Sequence, residues 1–99
     1  MEKIKVLMID DNKNLVEMVK EYFCEHDKIE VTMCAYDGEE GLDKIINEKD
    51  NYDIVLLDLI MPKKDGMYVL EQIKERNMNI NVIVETSYNA PDVIRKVSE

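Results

Sequence analysis

Two short apolar runs end abruptly in carboxylates. Ile4-Lys5-Val6-Leu7-Met8-Ile9 stops at Asp10-Asp11, and Ile54-Val55-Leu56-Leu57 stops at Asp58. Each run is aliphatic, a few residues long and followed by turn or helix-start residues, the pattern of a buried parallel strand. In open α/β sheets the ligand crevice lies beyond the carboxyl ends of the strands. Three acids brought to that edge repel one another, so they need a cation or a raised pKa to coexist.

The rest of the chain alternates strand and helix with short connections. Asp11-Asn12 supply helix-start chemistry, and Leu15, Val16, Met18, Val19, Tyr22 and Phe23 fall on one helical face to about residue 25. Residues 29–35 alternate as a strand nearer the sheet edge does. Asp37-Gly38 opens a second helix with Leu42, Ile45 and Ile46 inward, ending near Asp50. The strand at 53–58 is the most continuously apolar and is expected to be central.

Met61-Pro62-Lys63-Lys64-Asp65-Gly66 reads as a loop. Pro62 cannot continue a ladder, and Gly66 is expected to supply backbone angles that a β-carbon forbids. A helix over 66–76 turns Val69, Leu70 and Ile73 inward, and 81–86 is a fourth strand. Pro91 starts a last helix with Val93, Ile94 and Val97 on its apolar side. Such alternation predicts right-handed crossovers and an α/β, doubly wound parallel sheet with helices on both faces.

Charge and length narrow the function classes. With 99 residues the chain is one small domain, and a net charge of -9 argues against a nucleic-acid surface. No apolar stretch approaches the ~20 residues of a membrane span. The N-terminus runs straight into a strand without a signal-peptide pattern, so a cytoplasmic protein is expected. Cys24 and Cys34 match no metal spacing and read as reduced thiols; His26 reads as a solvated residue at a helix end.

Asp10, Asp11, Asp58 and Thr86 all fall at predicted carboxyl ends of strands. Carboxylates, a backbone carbonyl and waters suit an octahedral Mg²⁺ or Mn²⁺ site, because hard cations prefer oxygen. With a hydroxyl to bond an anion held there, the set describes phosphoryl transfer to an aspartate. Aspartate also follows strands simply because it caps helices, and for either acidic site alone capping explains it equally well. The conjunction of both sites with the hydroxyl favours chemistry. An EF-hand reading of Asp10-x-Asn12-x-Asn14 fails, since Leu15 holds the glycine position and a strand precedes it. A phosphatase with an aspartyl nucleophile at Asp58 lacks its second acid, because Ile60 stands there. No acid–base pair, nucleophile–histidine arrangement or phosphate-cradling glycine loop marks an independent enzyme.

In order along its whole length, the chain resembles the receiver domain of bacterial two-component response regulators. The features are Asp10-Asp11, Asp58, Met61-Pro62-x-x-Asp65-Gly66 and Thr86. The runs Met1-Glu2-Lys3-Ile4-Lys5-Val6 and Asp58-Leu59-Ile60-Met61-Pro62 look most like the receivers of sporulation regulators. The resemblance implies a flavodoxin-like sheet of order 2-1-3-4 and an Asp58 that takes phosphate from a histidine kinase or phosphotransferase protein. It also implies Mg²⁺ on Asp11 and Asp58 directly, on Asp10 through water and on the Ile60 carbonyl, with Mn²⁺ as a substitute. Thr86 would bond the phosphoryl group and report its presence. Lys63 and Lys64 read as solvated loop charges.

Against that pattern, the family's fifth strand and helix, with their phosphoryl-binding lysine and aromatic switch residue, have no counterpart in residues 1–99, which therefore read as a truncated receiver domain. Strand four would then be an open edge. The expected function is a phosphoacceptor receiver in transcriptional control of sporulation, with Mg²⁺-dependent phosphorylation on Asp58. The alternative is a phosphorylation-impaired module that self-associates through strand four or the uncovered face of helix one, with no direct nucleic-acid or membrane partner. Glu85 also departs, since the family usually has an apolar residue there; a carboxylate is tolerable on an exposed edge and costly if buried unpaired. A one-residue slip would bring Ser87 rather than Thr86 to the site.

Overall fold

Among the described residues four parallel strands form one sheet, in the order second, first, third and fourth along the chain, which places the two most apolar runs side by side at the centre. The computed structural model describes residues 2–59, 61 and 65–85. Along the chain these form β1 (Ile4–Ile9), α1 (Lys13–Phe23), β2 (Ile29–Ala35), α2 (Gly38–Asn47), a short 3₁₀ turn (Lys49–Asn51), β3 (Ile54–Asp58), α3 (Gly66–Glu75) and β4 (Asn81–Glu85). Ile60, Pro62, the loop lysines Lys63 and Lys64, Thr86, Ser87 and the expected last helix from Pro91 lie outside the described residues.

Side chains alternate across a strand, so β1 serves both faces of the sheet. Leu7, Met8 and Ile9 are all fully buried. Leu7 and Ile9 join Val55 and Leu57 of β3, Ile45 of α2 and Val69 and Ile73 of α3 in one cluster. Met8 points to the opposite face, and Val16 is the buried residue of α1. A bulge between Val6 and Leu7 leaves Thr32 of β2 without a register partner, and its hydroxyl donates to the Asn51 carbonyl at 3.1 Å. That bond ties the bulge to the turn after α2, which is closed by the Tyr52 hydroxyl donating to the Ile45 carbonyl at 2.8 Å.

Each helix begins on a side-chain cap. Asn12 accepts from the Leu15 amide at 3.1 Å, Asp37 from Glu40 at 2.8 Å and Asp65 from Tyr68 at 3.2 Å. The helix starts at Asn12 and Asp37 were therefore correctly marked by the sequence.

The apolar face of α1 is partly uncovered among the described residues, where Met18 is 66% and Tyr22 76% exposed. One expectation needs correction. Gly66 does not supply unusual backbone angles, since none of the described glycines has a positive φ. Its role is close approach: a β-carbon there would collide with the Asp58 carbonyl oxygen and lie 2.6 Å from the Leu59 Cα.

Candidate functional site: an acidic cluster at the carboxyl edge of the sheet

Register brings the acids together. Ile9 pairs with Leu57 and Leu57 with Val84, so the residues that follow, Asp10, Asp58 and Glu85, form the next row across three strands. Asp10 is 3% and Asp58 8% exposed, whereas Asp11 faces solvent. One carboxylate oxygen from each of Asp10, Asp11 and Asp58 lies within 4.8 Å of the others.

Backbone bonds hold this edge in place. The Asp10 amide donates to the Ala35 carbonyl at 3.0 Å, and the Asp10 carboxylate accepts from the Asn12 amide at 2.9 Å. The same Asn12 caps α1, so one short turn both starts the helix and aims Asp10. On the other side the Leu59 amide donates to the Glu85 carbonyl at 3.1 Å, extending the β3–β4 pairing past Asp58. The Gly66 amide donates to the Leu59 carbonyl at 3.2 Å, which draws the start of α3 against the Asp58 backbone.

Glu85 ends β4 beside this cluster, as the register partner of Asp58. It is half-buried rather than on a freely exposed edge, and its side chain hydrogen-bonds that of Asp10. Two carboxyl groups can bond only with a proton between them. Burial, then this bond, then the charges of Asp10 and Asp58 push the Glu85 carboxyl up to about 7. The available signal was the register: Glu85 ends β4 as Asp58 ends β3.

Two buried acids and one exposed acid thus offer a set of carboxylate oxygens suited to a hard divalent cation. The exposed Asp11 leaves one side open to solvent. Of the residues expected at the site, the structure brings Asp10, Asp11 and Asp58 together, while Ile60 and Thr86 lie outside the described residues.

Comparison with known proteins agrees with this architecture. Residues 6–99 match the response regulator receiver domain family, and the chain belongs to it. It is 36% identical over 90 residues to a probable C4-dicarboxylate response regulator, DctR, of Bacillus subtilis. That alignment takes in 91% of this chain and 39% of the relative, so the chain spans well under half of the relative's length. Among solved structures, the receiver domain of the Francisella response regulator 1452 superposes with a TM-score of 0.83 at 31% identity, over 97% of this chain and 76% of the other. A chain of the CheX–CheY–BeF3–Mg²⁺ complex of Borrelia burgdorferi gives 0.84 at 32% identity, over 96% and 70%. The flavodoxin-like receiver fold and the two-component class are thus both established, and among the described residues no helix is long and apolar enough to cross a membrane.

Proposed function

We propose that this chain is the phosphoacceptor unit of a two-component or phosphorelay response regulator. The observation that carries the reading is the convergence of Asp10, Asp11 and Asp58 at the carboxyl ends of the two central strands. A Asp58 carboxylate oxygen attacks the phosphorus of a phosphohistidine on a histidine kinase or phosphotransferase protein. The new P–O bond forms as the P–N bond breaks, and its electron pair returns to the imidazole. Asp58 is buried while Asp11 is exposed, and that open side admits the donor.

The donor set fits Mg²⁺, with Mn²⁺ as a substitute: three carboxylates within reach of one ion and an open side for waters. Asp11 and Asp58 would bind it directly and Asp10 through water, with the Ile60 carbonyl completing the protein ligands. When bound, the ion neutralises charge on the phosphoryl oxygens. Thr86 would donate a hydrogen bond to the phosphoryl group and carry its presence to the surface.

The output would be transcription, governed by the regulator in which such a receiver sits. Sporulation is favoured by the runs Met1-Glu2-Lys3-Ile4-Lys5-Val6 and Asp58-Leu59-Ile60-Met61-Pro62. A response to C4-dicarboxylates is favoured by the name of the Bacillus relative. A second reading, an interaction module with weak phosphoryl chemistry, is favoured by Glu85 beside the acids and by β4 as an edge strand among the described residues, with Ile83 54% exposed. Sedimentation over a range of concentrations tests that module, and a monomer throughout overturns it.

The phosphoacceptor reading is tested by incubation with acetyl phosphate and intact-mass measurement. One added phosphoryl group is expected with Mg²⁺, and none without it or in Asp58→Asn. An unmodified wild-type chain under all conditions overturns the reading.

A further inference from the structure

At the amino ends of β3 and β4, on the edge of the sheet opposite the acids, the turn after α2 and the connection from α3 to β4 flank a cleft of about 320 Å³. Its floor is apolar and fixed. Tyr52 is buried with its hydroxyl on the Ile45 carbonyl, and the half-buried Met78 and Ile80 pack against the core. One wall is the end of α3, where the amides of Arg76, Asn77 and Met78 donate to the carbonyls of Gln72, Lys74 and Ile73, each at 3.1 Å. Asn77 makes that turn with a φ of 53°. The wall therefore presents side-chain donors to the cleft, its last-turn carbonyls being already bonded.

The rim runs against the charge of the chain. With a net charge of -9 overall, the cleft is nevertheless lined by Lys49 and Arg76 against a single acid, Asp53. The Asp53 carboxylate already accepts the Lys5 amide at 2.8 Å. Among the described residues neither Lys49 nor Arg76 forms an ion pair, although acids outnumber bases by 22 to 13 in the chain. The carboxamides of Asn77, Asn79 and Asn81 also line the cleft, and none has a hydrogen-bond partner among the described residues. Two unpaired cations and three amide donors over an apolar floor make a seat for an organic anion. Two positive charges match the nearly dianionic phosphate of a monoester better than a single carboxylate. The volume, at the small end for ligand sites, admits one ring with its phosphate. We infer that this cleft binds a small phosphate monoester, with the phosphate on Lys49 and Arg76 and the apolar body over Tyr52, Met78 and Ile80. The site is separate from the acidic cluster and stands whether or not Asp58 accepts a phosphoryl group.

The test is a titration of the whole, chelator-treated chain with phenyl phosphate, followed by backbone amide chemical shifts in mildly alkaline buffer, where the phosphate is dianionic. Saturable shifts are expected in residues 49–53 and 76–81. Inorganic phosphate lacks the apolar body, benzoate the second charge and phenol any charge, so each should bind more weakly. Lys49→Gln and Arg76→Gln should each weaken phenyl phosphate on the order of fivefold, as for loss of one exposed ion pair, and the double variant should not saturate. Lys20→Gln, on α1, should leave binding unchanged. Both altered cleft residues are exposed, and circular dichroism verifies that the variants fold. The proposal is overturned by a wild type without saturable shifts, or by shifts confined to other residues. It is equally overturned if inorganic phosphate, benzoate or phenol binds as tightly as phenyl phosphate, or if Lys49→Gln and Arg76→Gln leave the affinity unmoved.

Discussion

Asp58 and Glu85 are register partners at the ends of adjacent parallel strands, and Glu85 also reaches Asp10 on the strand beyond. The acidic edge is thus a row of side chains set by sheet register, with Asp11 on its open side. Several measurable consequences depend on that row and on the backbone packed against it.

The first concerns pH. Glu85 is raised from the ordinary carboxylate range to about 7, so the folded chain holds its proton more tightly than the unfolded chain does. Its contribution to stability is fully present below the unfolded pKa and is lost as pH rises through about 7. In chelator-treated protein, Glu85→Gln should therefore be more stable than wild type at about pH 8 by on the order of 1 kcal/mol, a figure discounted for solvent screening at a half-buried group. That corresponds to roughly 4–8 °C in Tm for a domain of this size. Near pH 5, where Glu85 is protonated in the folded state, the gap should close. Thermal melts of both proteins at the two pH values check the sign.

The second concerns Gly66. Its missing β-carbon lets α3 start against the Asp58 carbonyl and the Leu59 Cα, both of them backbone that cannot swing aside. Gly66→Ala should cost about 1–3 kcal/mol of stability through overpacking. Because the displaced atoms belong to Asp58, phosphorylation should slow as well. Denaturant titration and the acetyl phosphate assay measure the two losses in one preparation.

The third concerns the start of α3. Asp65 accepts from the Tyr68 amide at 3.2 Å and is not one of the clustered acids Asp10, Asp11 and Asp58. Asp65→Ala should cost about 1 kcal/mol as a lost helix cap. Urea unfolding should show that loss with little change in Mg²⁺ affinity.

Much of this arrangement was legible in the chain. β1 and β3 announce themselves because strands buried on both faces need continuous apolar residues, and the acids follow at the points where the sheet ends. Asn12 and Asp37 mark helix starts because their short side chains reach the next turn's amides. Other features were not legible, for physical reasons. Met18, two residues on from Val16, lies on nearly the opposite side of α1, so a run of apolar residues does not by itself tell which of them the sheet covers. Gly66 carries the same letter whether it serves a turn angle or a close approach, and only the position of the Asp58 backbone distinguishes them. Glu85 looked like an edge residue because its long side chain, which reaches Asp10, leaves no trace in local pattern.

The most direct measurement of the central claim is chemical mapping of the phosphoryl group. Borohydride reduces an acyl phosphate to an alcohol, so a phosphorylated aspartate becomes homoserine, which peptide mass spectrometry locates. After treatment with acetyl phosphate and Mg²⁺, homoserine is predicted at position 58 and at neither Asp10 nor Asp11. Homoserine at Asp10 or Asp11 instead, or an unreduced Asp58 in a chain that has gained phosphate, would contradict it.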